Sequence, residues 1–377
     1  MRPLASNTLI LAAISSRAYV KAAVEAGFEV IAIDAFADVD TKKLAKITFQ
    51  ANIKNGQFEP AQILNILDQI NLDEYAGFCY GAGFEANPGA LDEISKLIPI
   101  IGNTAKTVRD SKDPEFFCAL CDALSMAYPQ TLFEKPGFGK LGVIDGWLIK
   151  TIGASGGTHV RHLTSESLEM DNVYYQQFQT GVPISCLFLA NGKSAQIIGY
   201  NEQWCSQTDD SPYRYGGAVS HAEMSESSKE VIEDFVNGIT QKLGLRGVNS
   251  CDFILNEDQV FALEINPRLS ATLDLYHARK GNLFEAHVKA SLGGDLQAFD
   301  VDETSKAHHI IYAAQKIYIA SNMDWSAWVC DIPQANSKIE TGMPICTVTA
   351  AASSAADAKR MVMERATECL AKLAQKN

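Results

Sequence analysis

Between Asn7 and Gly83 the chain alternates short apolar runs with helical periods. "NTLILAAI" has the aliphatic density of a buried strand, "SSRAYVKAAVEAGF" carries helical spacing that ends at Gly27, and "EVIAIDAF" is a second strand. "EPAQILNILDQI" then repeats the helical period, and "GFCYGAG" is a strand that runs into a glycine-rich turn. Strands joined through helices lie parallel, because a parallel pair needs a long crossover. The N-terminal region is therefore expected to be an α/β unit built on a parallel sheet.

Units of this kind often hold dinucleotides, but the first strand-to-helix turn here is "AAISSRA". It lacks the GxGxxG glycines that let backbone approach a pyrophosphate, so NAD or FAD is not expected. Asp34 sits where a ribose-binding acid would sit, and without that fingerprint it is expected to order or cap its own loop. The turn "YGAGFEANPG", Tyr80 to Gly89, has glycines that permit close backbone approach. Glu85 leaves it at a strand end, where open α/β sheets bind ligands. A tight turn feeding a helix fits the same residues.

With 377 residues and 47 % hydrophobic content, the chain can build two or three domains with real cores. Its 32 basic and 45 acidic residues, net −13, argue against a nucleic-acid surface, which needs clustered Lys and Arg. A small anion in a local pocket remains compatible. No apolar run approaches the roughly 18 residues of a membrane span, and the N-terminus leads into a strand without a convincing cleavage site. The chain is expected to be cytoplasmic, with no membrane or nucleic-acid partner. Nine scattered cysteines fit reduced thiols better than a disulfide framework. The close pair Cys118 and Cys121 lies in a helical apolar pattern with no second CxxC, which reads as a buried helix face rather than a zinc half-site.

The texture changes near Asn103. "TAKTVRDSKDPEFFCALCDALSM" reads as a helix entry and a helix, and "YPQTLFEKPGFGKLGV" as a Pro- and Gly-punctuated linker. "GWLIKTIGASGGTHV" is a strand and glycine loop, and "VYYQQFQTGVPISCLFLANGKSAQIIGYNEQW" a set of antiparallel strands. Further strands are expected from Gly247 to Ser270 and in "IETGMPICTVTA", followed by an amphipathic closing helix.

The chemistry concentrates in "VNSCDFILNEDQVFALEINPR". Read as a hairpin with a three-residue loop centred on Asp258, it sets Asp252 opposite Glu264, with Asn266 on the same face. Two carboxylates side by side repel unless a cation lies between them, and an Asp, Glu and Asn oxygen set suits hard Mg²⁺. Arg268 continues the parity and is placed to clamp a phosphate or carboxylate. The plainer alternative is a solvated ribbon face. Upstream, Lys150 ends an apolar strand before "GASGG", whose N–H groups can cradle phosphate; it is not a Walker A loop, because no GK[ST] follows.

Together these segments resemble the ATP-grasp superfamily over essentially the whole chain. "DSKDPEFF" is similar to the segment with the first nucleotide-contacting lysine, which points to Lys112. "LIKTIGASGG" resembles the strand lysine and flexible loop, giving Lys150, Ser155, Gly156 and Gly157. "YYQQFQTGVPIS" resembles the hinge whose backbone grips adenine, giving Gln177, Phe178 and Gln179. "NSCDFIL" and "LEINPR" resemble the paired metal strands, giving Asp252, Glu264 and Asn266 as metal ligands and Arg268 as the catalytic cation. The chain departs from the family where Gln177 stands in place of a common hinge Glu, and where Val182 and Pro183 follow the hinge glycine in place of a ribose-binding acid.

The resemblance implies an N-terminal Rossmann-like (pre-ATP-grasp) parallel-sheet domain, 1–105, and two α+β lobes clamping ATP, 106–178 and 179–377. It implies an ADP-forming ligase that uses ATP and Mg²⁺ (or Mn²⁺) to join a carboxylate to an amine through an acyl phosphate. "YGAGFEANPG", "IGNTAKTVRDSKDPEFF" and "DIPQANSKIETGMPICTVTA" are similar to a narrower group, predicted ATP-dependent carboligases related to biotin carboxylase found in methanogens and methylotrophs. For that group a role in making tetrahydromethanopterin or methanofuran has been inferred. The rival readings are a bicarbonate-dependent carboxylase on the same ATP site and a nucleotide-binding module without turnover. Superfamily members are often homodimers, which leaves that assembly open here. Among other polar residues, His159 is read as loop packing or a phosphate contact, His277 as structural, Arg214 and Tyr215 as a substrate-closing loop or an ordinary connection, and His308 and His309 as fold.

Overall fold

The computed structural model describes residues 6–134, 146–164, 170–277, 281–296 and 299–376. Most of the expected linker lies outside these residues, at 135–145.

The N-terminal apolar runs form a five-stranded sheet of β1 (Thr8–Ala13), β2 (Glu29–Asp34), β3 (Ile47–Gln50), β6 (Phe78–Tyr80) and β7 (Ile100–Ile101), in the order β3-β2-β1-β6-β7. Every pairing is parallel. Helices α1 (Arg17–Glu25), α2 (Val39–Leu44), α3 (Pro60–Leu67) and α4 (Gly89–Leu97) make the crossovers, and a small hairpin, β4 (Ile53–Lys54) and β5 (Gln57–Phe58), precedes α3. Asp34 is fully buried and accepts hydrogen bonds from Ser16 N and Oγ, Phe36 N and Ala37 N at 2.6–2.7 Å. It therefore orders the two strand-end loops, as expected of an acid without a glycine fingerprint before it.

Two helices, α5 (Ala105–Lys112) and α6 (Pro114–Ala123), form the segment read from the sequence as a helix entry and a helix. Pro114 drives the residue before it out of helical backbone. Asp113 accordingly sits at φ −79°, ψ 116° and caps α6 by accepting from Glu115 N and Phe116 N. The break leaves Lys112 at the C-terminal end of α5. Cys118 and Cys121 are buried in α6, and no group of three or more His, Cys, Asp or Glu residues among the described residues is arranged to hold a metal.

A four-stranded antiparallel sheet follows, β8 (Thr131–Leu132), β9 (Trp147–Thr151), β10 (Val160–His162) and β11 (Val173–Gln177), in the order β10-β9-β11-β8. The rest of the chain is organised on an eight-stranded antiparallel sheet. Its strands are β12 (Val182–Asn191), β13 (Ala195–Cys205), β14 (Tyr215–Ser220), β15 (Arg246–Asn256), β16 (Gln259–Asn266), β17 (Ser305–Tyr312), β19 (Val329–Cys330) and β21 (Pro344–Ala352). A minor hairpin of β18 (Ile317–Tyr318) and β20 (Lys338–Ile339) hangs beside it. Helices α7 (Glu226–Leu243) and α6 cover one half of the big sheet through Phe235, Ile239, Phe117 and Phe253. The closing helix α9 (Ala355–Lys376) covers the other half. Leu9, Leu11 and Ala13 share a core with Leu187, Leu189, Val248, Leu273 and Phe284 of α8 (Leu283–Ser291), so the parallel sheet is packed against the large one. Among the described residues no helix is long and apolar enough to cross a membrane.

Candidate active site

The β15–β16 hairpin sets Asp252 opposite Glu264 and Ser250 opposite Asn266. The route to this register differs from the one expected. Asn256 pairs with Gln259 across a two-residue turn in which Glu257 has φ 53°, not a three-residue loop. That turn alone would put Leu263 opposite Asp252. A β-bulge between the Asp252 and Phe253 pairs leaves Leu263 unpaired and restores Glu264 to Asp252. The core follows the slip: Val260, Ala262 and then Ile265 pack inward, so that Glu264 and Asn266 face away.

Around this face the side chains converge. Asn266 Nδ2 donates to Asp252 Oδ2 (2.9 Å) and Gln203 Nε2 to Asp252 Oδ1 (3.4 Å). Lys112, at the broken end of α5, donates to Glu264 Oε2 (3.1 Å) and Asn266 Oδ1 (2.9 Å), with its side chain only 7 % exposed. Burial, then the Glu264 carboxylate, push the Asp252 carboxyl up to about 7. Burial acts on Glu264 in the same sense, but Lys112 and the hydrogen bond with Asp252 outweigh it and hold that carboxyl well below the usual range. One proton thus belongs to the pair's Asp252 side. A buried Asp–Glu–Asn oxygen set short of one positive charge fits a hard divalent cation.

Lys150 enters from β9, where it lies opposite Tyr174 of β11. Its ammonium is buried and donates to Gln176 Oε1 at 2.6 Å; burial lowers its pKa although Glu264 and Asp252 pull it up. Gln176 donates in turn to Thr131 Oγ1 at 3.2 Å. Strand parity explains the arrangement: Ile149 and Tyr175 face a small core, so Lys150, Tyr174 and Gln176 share the cleft face. The inward hinge side chain is therefore Gln176, whereas Gln177 and Phe178 are exposed. The N–H of Gln177 donates to Gln130 O and that of Phe178 to Gly146 O. Gln176 was not named from the sequence, although alternation from Lys150 through its partner strand was a signal for it.

The glycine loop is held shut. Gly156 and Gly157 both have φ +73°, Gly156 O accepts from Tyr215 N (3.0 Å), and a Cβ on Gly157 would lie 1.9 Å from Tyr213 O. Ser155 lies half-buried in the same loop. Arg214 and Tyr215 are anchored rather than free: Arg214 donates to Ser206 O and Gly342 O over the Tyr312 ring, and Tyr215 OH hydrogen-bonds His308 Nε2. The cleft bordered by Lys112, Gln176 and Glu264 is walled by Phe117, Cys118, Tyr174 and Leu263 on its apolar side. His159 lines it as well; burial pushes its imidazole down to about 4, against the pull of Glu264.

Arg268 completes the site from the turn after β16. Tyr80 OH and Asn103 Nδ2 both donate to Pro267 O, which ties that turn to the end of the parallel sheet. Arg268 Nε then donates to Glu85 Oε1 at 2.6 Å, and Nη2 to Asn266 Oδ1 at 3.4 Å. Glu85 also accepts from Gly83 N and Phe84 N. Burial would raise the Glu85 carboxyl, but Arg268 and Lys112 hold it below the usual range.

Residues 119–272 match the family model of the ATP-grasp domain. The chain is similar to N5-carboxyaminoimidazole synthetase from Staphylococcus aureus complexed with ADP, at 13 % identity and TM-score 0.68 over 95 % of this chain and 96 % of that one. It is similar to the L-amino acid ligase from Bacillus licheniformis at 11 % identity and TM-score 0.69, over 95 % and 96 %. It also matches the biotin carboxylase domain dimer of the Hydrogenobacter thermophilus 2-oxoglutarate carboxylase, in complex with MgADP, ADP and bicarbonate, at 12 % identity and TM-score 0.71 over 95 % and 89 %. The chain carries an ATP-grasp domain. Its architecture, a parallel-sheet N-terminal unit followed by the two antiparallel sheets that enclose the cleft, is the ATP-grasp fold.

Proposed function

We propose that this protein is an ATP-dependent, ADP-forming ligase that joins a carboxylate to an amine through an acyl phosphate. The observation that carries the reading is the gathering of Lys112 and Arg268 on the linked Asp252, Glu264 and Asn266 side chains, with the buried Lys150 ammonium near enough to feel both carboxylates. Phosphoryl transfer asks a protein for positioning and charge neutralisation more than for a covalent group, and those are the groups gathered here.

Lys112 and Lys150 seat the α- and β-phosphates. The hinge backbone at Gln177, Phe178 and Gln179 meets adenine, while Leu263 and Phe117 supply apolar walls. Asp252, Glu264 and Asn266 would hold Mg²⁺ or Mn²⁺, and a bound ion would neutralise charge on the β- and γ-phosphates. Arg268, fixed by Glu85, stabilises the transferring phosphoryl group and then the oxyanion formed when the amine attacks. A bulky or charged nucleophile on the protein is not required.

The finer reading is a carboligase of the biotin carboxylase-related type found in methanogens and methylotrophs, acting on a tetrahydromethanopterin or methanofuran precursor. It rests on the segments around Glu85, Lys112 and Asp331 rather than on the cleft. The test is Mg²⁺-dependent ADP release by wild type and Glu264→Gln across amino acids, polyglutamates, aromatic amines, pterin precursors and bicarbonate. Release that needs one carboxylate and one amine, and is lost in the variant, supports the ligase. Release that needs bicarbonate alone would replace it with carboxyphosphate chemistry, and no turnover with any pair would leave a nucleotide-binding module.

A further inference from the structure

One buried ring nitrogen in the cleft has no partner. His159 stands between the glycine loop and β10, and its ring lines the cleft beside Lys112, Gln176 and Glu264. Its Nδ1 is shut from solvent and makes no hydrogen bond to the described residues. Leaving such an atom unpaired costs about 1–3 kcal/mol, so buried polar groups nearly always find partners. The ring is held in place from two sides: the Ser155 backbone lies beside it, and the loop before it cannot shift outward because Gly157 is seated on the Tyr213 carbonyl. The charges around it are Glu264, Lys150 and Lys112. Of these, Glu264 is already taken by Lys112, and Lys150 reaches only the neutral oxygen of Gln176. Two ammonium groups and an unpartnered imidazole nitrogen form a set that an anion would complete.

We propose that His159 is a nucleotide-contacting residue whose ring, with a bound polyphosphate beside it, carries a proton on each nitrogen, donating Nδ1–H to a phosphate oxygen while its other N–H stays on the Ser155 backbone. This rests on the ATP reading above and adds to it a residue that senses the phosphates from the loop side, while the lysines approach from the sheet and from α5. The contact would couple loop position to phosphate occupancy. The partner is taken to be a phosphate beyond the α position, so that AMP serves as the control.

The test is the affinity of the full chain for AMP, ADP and MgATP by calorimetry, in wild type, His159→Asn, His159→Gln and His159→Leu. Asn places an amide near the position of Nδ1 and Gln near that of Nε2. The expected result is that His159→Asn binds MgATP within about threefold of wild type, while His159→Gln and His159→Leu lose about tenfold for MgATP and ADP but not for AMP, the scale of one charge-assisted hydrogen bond. Equal weakening for all three nucleotides, or His159→Gln matching His159→Asn, would assign the ring to packing and overturn the proposal. If His159→Leu fails to fold, the Asn and Gln pair decides. Wild type binding every nucleotide with all variants unchanged defeats this proposal alone, whereas wild type binding none defeats the ATP reading and this proposal together.

Discussion

Glu85 and Arg268, 183 residues apart in sequence, meet at 2.6 Å with side chains only 2 % and 11 % exposed. The parallel sheet thereby supplies the counter-charge that aims the cation of the large sheet. Removing one partner of a buried pair strands the other, at about 3–5 kcal/mol.

Glu85→Gln keeps the size and the acceptor oxygen but drops the charge. It is expected to lower kcat roughly 10- to 100-fold through misplacement of Arg268, with little change in KM for ATP. Steady-state kinetics check this, and a change confined to KM would place Glu85 outside the catalytic arrangement.

Asp252, proposed above as a metal ligand, is a buried carboxyl that the fold tolerates at a cost. Its carboxyl is raised to about 7 by burial and Glu264, above the ordinary 3.8, so the folded state binds a proton more readily than the unfolded state. The stability penalty is absent below about pH 4, grows as pH rises, and is complete above about 7. Asp252→Asn is therefore expected to melt higher than wild type at pH 8 in the absence of metal, with the gap closing by pH 5, while Mg²⁺-dependent turnover is lost. Thermal melts at the two pH values, with and without Mg²⁺, decide it.

Gly156 and Gly157 share the same φ yet differ in surroundings. A Cβ on Gly156 meets nothing within 4 Å, whereas one on Gly157 collides with Tyr213 O. Both alanine substitutions carry backbone strain of about 1–2 kcal/mol, but only Gly157→Ala must also unseat the loop. Its affinity for ATP is expected to fall at least tenfold further than that of Gly156→Ala, measured by equilibrium binding.

His287 and His308 are buried, and burial pushes both imidazoles down to about 4 from 6.5. The unfolded chain takes up their protons first, so the stability they contribute is complete above pH 6.5 and drains away between 6.5 and 4. Each costs up to about 1.4 kcal/mol per pH unit in that window. The melting temperature should drop through this range, and His308→Gln should flatten the slope by nearly one proton.

Much of the site was legible because strand alternation is a strong rule. Asp252, Glu264 and Asn266 follow from parity, and Lys150 with its glycine loop from a strand ending in a flexible turn. The hairpin also shows how a right pairing can come from a wrong turn: no sequence signal distinguishes a three-residue loop from a two-residue turn plus a bulge at Leu263, since both give the same sum of residue numbers at Asp252. The α5–α6 break is readable in Asp113–Pro114, where the residue before proline leaves helical backbone; that the entry is itself a full helix is not. Glu85 meeting Arg268 was not readable, because it depends on how two sheets dock, and that is set by cores far from either residue. Loop closure at Gly157 depends likewise on Tyr213, a contact with no local trace.

The ammonium of Lys112 rests between Glu264 and Asn266, so the protein carries its own counterion at the oxygens meant for a metal. Metal loading is then a swap of cations rather than the filling of a bare anionic hole, and chelators should leave the fold intact. The displaced lysine needs a new anion at the moment it moves. On the proposed reading a free divalent ion brings none and free ATP would leave Glu264 without a cation, so the two are expected to bind together, as one chelate.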